Sequence, residues 1–107
     1  MTIKLLIHEG HGRIFSFSLP DQLYEGDLIT GHVDIQNDGL GPDLLMCRVV
    51  TEWNGAIYET QDNIASGAIL RANIPAGVVM PAQDAIITMY AFHDEDGVWV
   101  QDDVASH

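Results

Sequence analysis

Read along the chain, the clearest pattern lies between Leu28 and Asn37. The odd positions Ile29, Gly31, Val33 and Ile35 fall on one side, and Thr30, His32, Asp34 and Gln36 on the other. A two-residue period of this kind marks a strand with one buried face. The run stops at Asn37-Asp38-Gly39, and Gly41-Pro42-Asp43 keeps it from resuming at once, since Gly takes positive φ and Pro withholds a donor. A second run, "LLMCRVVTEWNGAIYET", points Cys47, Val49 and Trp53 inward and Arg48 and Glu52 outward. Its Asn54-Gly55 predicts a two-residue hairpin into Ala56 to Thr60.

The C-terminal third repeats the scheme. Ile86 to His93 is apolar on both faces, as a central strand is, and Asp96-Gly97 turns it into Val98-Trp99-Val100. At the other end "IKLLIH" and "RIFSFSL" read as short strands joined by Gly10-His11-Gly12. Between Asp62 and Met80 two readings compete. Ile64, Ala65, Ala68, Ile69 and Ala72 fit a helical stripe, but Gly67 at its centre costs about 1 kcal/mol there. A strand over Ala68 to Ile74, followed by a loop through Pro75 and Pro81, is the preferred reading. Seven to eight short strands separated by turn signals predict an all-β, antiparallel β-sandwich forming one domain over residues 1–107.

Charge narrows the partners. Four Lys and Arg against sixteen Asp and Glu give −12, which repels phosphate backbones and anionic headgroups, so neither nucleic acid nor membrane surfaces are expected partners. The lone Cys47 forms no internal disulfide, and its apolar neighbours predict a buried, inert thiol. Ile3 to Ile7 is shorter than the roughly 7 to 15 apolar residues of a signal peptide, and no run approaches the roughly 18 of a membrane span. The expectation is a chain made in the cytoplasm without an export signal.

"YEGDLITGHVDIQNDGLGP" resembles the second-strand signature of immunoglobulin-like sandwiches of the CARDB and bacterial-adhesion type, a Gly-bearing turn before an alternating strand that ends in Asn-x-Gly. The resemblance extends loosely over Leu23 to Asp103, with the Trp53 strand and the "AFHDEDGVWVQDD" hairpin in the expected order. "YEGDLITGHVDI" is also similar to the opening strand of arrestin-like sandwiches, which pair two such domains where this chain has room for one. Antibody-type domains fit less well, because paired cysteines are missing and Tyr90 has no Cys two residues later. By analogy, such a fold implies binding and structural roles more than chemistry. Small acidic sandwiches of this type resemble decoration or cement proteins of phage and archaeal virus capsids. The resemblance thus implies a virion-associated, non-enzymatic interaction module that joins a larger assembly or a homo-oligomer.

Several groups invite chemistry and are weighed against simpler roles. In "HEGHG", His8 and His11 are three apart and flanked by glycines, whereas a helical zinc site needs two His four apart. A hairpin loop is the expectation, and no cofactor is implied. "HDEDG" with Asp102 and Asp103 gathers carboxylates, making Asp94, Asp96 and Asp102 calcium candidates, but the complete ligand loop is absent and a solvated hairpin tip is the simpler reading. Calcium or carbohydrate binding at the 93 to 103 hairpin remains the alternative function. Ser16, Ser18, Ser66 and Ser106 lie in no nucleophile elbow. The aromatics Trp53, Phe15, Phe17 and Phe92 are expected mostly inside, because a domain of this size needs them there. Trp99 lies on an outer surface if Val98 and Val100 face inward. With Ile3, Leu5 and Ile7 of an apolar terminal segment, it forms the expected contact surface, by strand addition at an edge.

Overall fold

The alternating run folds as it reads, but it enters the sheet later than expected. The computed structural model describes residues 2, 3 and 10–107. In it, strand β2 (His32–Asn37) buries Val33, Ile35 and Asn37, while His32 and Gln36 stay partly open. Gly31 sets the start. Its φ is 152°, and a Cβ there would lie 2.1 Å from the carbonyl oxygen of Ser18. The preceding residues leave the sheet and bond to a different segment, with Ile29 N–H donating to Val78 O at 2.8 Å and Met80 N–H to Asp27 O at 2.8 Å.

Six further strands lie among the described residues: β1 (Gly12–Ser18), β3 (Asp43–Thr51), β4 (Ala56–Ile64), β5 (Ile69–Asn73), β6 (Ile87–Glu95) and β7 (Val98–Ser106). They form two sheets of order β1-β2-β5 and β4-β3-β6-β7, with every pairing antiparallel. The chain crosses between layers after β2, β4 and β5, which gives the all-β, antiparallel sandwich expected from the sequence. β6 is the inner strand its two-sided apolarity predicted. The 62–80 ambiguity resolves toward strand: β5 occupies 69–73, and Gly67, with φ 80°, sits in a turn where a helix would have run. The first predicted strand, apart from Ile3, falls on residues outside those described.

The two C-terminal hairpin strands meet across a two-residue turn in which Asp96 (φ 53°) and Gly97 (φ 83°) both take left-handed conformations, as the sequence predicted. The Asn54-Gly55 hairpin differs. Thr51 pairs with Ala56, so its loop has four residues, Glu52 to Gly55, with Gly55 N–H bonded to Thr51 O at 2.9 Å. The Asn54 side chain explains the extra length, because its Oδ1 accepts from both the Thr51 hydroxyl and the Ala56 N–H and stabilises a wider turn. Trp53 therefore lies in the loop, half-buried against the core, rather than on a strand.

The core is aliphatic. Val33, Ile35, Leu45, Cys47, Met89 and Ala91 are wholly buried between the sheets. No phenylalanine belongs to that cluster, contrary to expectation: Phe15 and Phe17 on the edge strand β1 are 50% and 37% exposed, and Phe92 faces out of the sandwich. β1 is bulged between Ile14 and Ser16, so Phe15 has no partner on β2, and its ring lies 5.5 Å from the guanidinium of Arg13. Cys47 is the buried, unpaired thiol the sequence predicted, and burial pushes its pKa up to about 12.

Candidate functional site

Strand alternation assigns every second residue of the β4-β3-β6-β7 sheet to the face turned away from the core. On β3 these are Leu44, Met46, Arg48 and Val50, and their partners on β6 are Phe92, Tyr90 and Thr88. β4 adds Ile57 and Glu59, and β7 adds Trp99 and Val104. Met46 is 2% and Phe92 7% exposed, yet neither belongs to the core cluster, so a second apolar layer exists on this outer face. The Arg48 guanidinium lies 4.8 Å above the Phe92 ring, and its Nε donates to Glu59 Oε2 at 2.7 Å. Tyr90 stacks beside Phe92 at 6.2 Å. The flanks are open, with Ile57 and Val104 59% and 50% exposed.

Charge is sparse on this face. Its strand residues supply Arg48 against Glu59 and Asp94, so it carries about −1 of the −12 of the chain. A nearly neutral, largely apolar sheet face rimmed by polar residues has the composition of a contact surface.

Trp99 lies on this same face. It pairs with Asp94 at the end of β7, while Val100, opposite His93, turns toward the interior and Val98 is exposed at the turn. Ile3 is 95% exposed, and Leu5 and Ile7 lie outside the described residues. The three calcium candidates are not brought together. Asp94 shares the outer face with Phe92, Asp96 occupies the turn, and Asp102 points to the opposite side of the sheet, where both its oxygens lie 2.8 Å from His93 Nδ1. Among the described residues, no group of three or more His, Cys, Asp or Glu is disposed to hold a metal ion.

Asp102 has a structural partner set that sequence reading missed. The register of β6 and β7 slips between Ala91 and Phe92, which leaves Asp102 as an extra residue between the paired Gln101 and Asp103. The bulge turns two consecutive carboxylates toward the other sheet. Asp102 accepts from Gly12 N–H at 2.8 Å and Asp103 from Ile14 N–H at 2.9 Å. His11 stands over this seam, bonded to Asp38 and 3.8 Å from Asp102. On the opposite outer surface Asp34 receives a two-pronged bond from Arg71 at 2.8 and 3.0 Å, and this bond, against the opposing effect of burial, holds its carboxyl below the ordinary range.

No family model matches the chain, and no curated protein matches it.

Proposed function

We propose that the chain is a non-enzymatic protein-interaction module that associates with a second copy of itself through the outer face of the β4-β3-β6-β7 sheet. The observation that carries this reading is the second apolar layer around Met46 and Phe92, on a face nearly free of the charge borne by the rest of the surface. Near-neutrality favours self-association, because two faces of about −1 meet with little repulsion while most of the −12 points elsewhere. Arg48 and Glu59 also offer a self-complementary pair across a two-fold axis.

Size supports the same reading. Four strands about 4.8 Å apart, with up to nine residues rising about 3.3 Å each, give a face of roughly 500 Å². A pair of such faces reaches the roughly 1,000 Å² at which specific interfaces begin. For the wider setting we propose decoration of a viral capsid by the paired module, a context that rests on the resemblance of small acidic sandwiches to such proteins.

Sedimentation at increasing salt tests the association. Dimer formation should strengthen with ionic strength as the residual repulsion is screened. Ile57→Glu and Val104→Glu, both at exposed positions, should return the chain to monomer with an unchanged β-type circular dichroism spectrum. A wild-type chain that stays monomeric at every salt concentration would overturn the reading.

A further inference from the structure

The segments that leave the sheets at one end of the sandwich enclose a pocket. Where residues 27–29 bond to 78–80, the layers splay around a cavity of about 300 Å³. Its floor is apolar: Ile29 and Ile87 are 4% and 5% exposed, and Leu23 and Met80 pack beside them against the core. Its mouth is acidic, with Asp21 and Asp84 on the rim together with His107.

The histidine is held in place. Its backbone exchanges both hydrogen bonds with Ile87, at 2.9 and 3.0 Å, and its ring meets Phe17 edge-on with centroids 5.3 Å apart. Its Nε2 lies 3.0 Å from Asp21 Oδ1 and 3.2 Å from Pro20 O. Asp84 differs: among the described residues it has neither a hydrogen bond nor an ion pair. The pocket thus sets a solvent-facing carboxylate above an apolar floor, and among the described residues no Lys or Arg lines it.

We propose that this pocket binds a small organic ammonium ion, with its hydrocarbon body on Ile29, Met80 and Ile87 and its charged nitrogen at Asp84. The lining discriminates against other classes. An organic anion would face two carboxylates. A sugar would find, among the described residues, neither the Trp or Tyr platform nor the several amides that its hydroxyl groups require, since Gln22 alone of those residues gives the lining a side-chain amide. A bare metal ion is disfavoured because, among the described residues, no three His, Cys, Asp or Glu side chains converge to hold one. The volume sits at the lower end of small-molecule sites, which limits the ligand to a compact body such as one six-membered ring. None of the lining residues is on the outer face assigned to self-association, so the two readings stand or fall separately.

The test is an amide-resolved NMR titration of the whole chain with cyclohexylammonium, set against cyclohexanol and cyclohexanecarboxylate as matched bodies. Saturable shifts confined to residues 20–23, 29, 80–87 and 107 are expected with the amine, in the millimolar range appropriate to about seven heavy atoms. Cyclohexanol should bind more weakly and the carboxylate not at all. Asp84→Asn, an exposed change that leaves the fold intact, should weaken the amine about three- to fivefold, as expected for one solvent-facing ion pair. Ala85→Phe should fill the mouth and abolish binding. Equal affinity for the alcohol and the amine would overturn the proposal. So would shifts spread over acidic residues elsewhere, or affinity unchanged in both variants.

Discussion

On its inner face the β4-β3-β6-β7 sheet carries Leu45, Cys47, Met89 and Ala91, wholly buried beneath the second sheet. On its outer face the alternate positions of the same strands carry Met46, Arg48, Tyr90 and Phe92, over which no other strand lies among the described residues. The inner set is uncharged, aliphatic or sulfur-bearing, and it packs against residues of β2 and β5. The outer set is long, aromatic and cationic. Its members cover one another: Arg48 shields Phe92 with a charged head that keeps contact with water. The difference shows what each face is adapted to meet. The inner side chains fill a fixed gap between layers, whereas Arg, Tyr and Trp on the outer face form surfaces that adjust to a partner.

The sharpest way to break this comparison is to truncate one residue on each face. Leu45→Ala should cost about 2–5 kcal/mol in urea unfolding, because its cavity is walled by both sheets. Phe92→Ala removes more atoms but should cost less, about 1–2 kcal/mol, since water and neighbouring side chains can enter the space from outside. Equal losses would make the outer layer a second core rather than a contact surface.

Reactivity of Cys47 sharpens the same contrast without a change of sequence. The thiol is fully buried, and its pKa is raised to about 12 by loss of solvation, with a smaller contribution from the Asp34 charge. In the folded protein at pH 8 it should resist an aromatic disulfide reagent and react only as fast as the sandwich opens. Labelling within seconds in the absence of denaturant would show that the inner face is not sealed.

The smallest expected effect lies on the outer surface of the other sheet. There the Arg71 hydrogen bonds depress the Asp34 carboxyl, so this pair adds stability above the unfolded-state value near 3.8 and loses it as pH falls through the lower folded value. Acid titration of Asp34→Asn should therefore show a shallower fall in stability below about pH 4 than the parent. A variant as acid-sensitive as the parent would assign that limb to other carboxylates.

Much of this architecture is legible in the residues. Alternation at 29–36 and the Asp96-Gly97 turn specify a strand and a hairpin through backbone geometry alone; the hairpin is found where it was expected, and the strand begins late, at His32 after Gly31. The outer layer was legible only in part. Ile86 to His93 reads as central because both its faces are apolar, and β6 is an inner strand of its sheet. In a two-layer sandwich, however, one of those faces must turn outward, and that consequence points to Phe92 and Tyr90. Other features depend on side chains acting as backbone. Asn37 is wholly buried because its amide donates to Gly41 O and Ile64 O and its oxygen accepts from His11 and Gly39. A period-two reading also places Asp102 and Asp103 on opposite faces, and only the bulge brings them to one side.

That bulge has a consequence for how the sheets could grow. Strand β1 borders its sheet, and the amides of Gly12 and Ile14 point away from β2, where a templating strand from another molecule would dock. Both are already taken by the Asp102 and Asp103 carboxylates, which imitate the carbonyls of an incoming chain and add a charge that repels one. This edge is thus closed to runaway fibre formation by its own neighbour, and growth by strand templating is directed away from this side of the molecule.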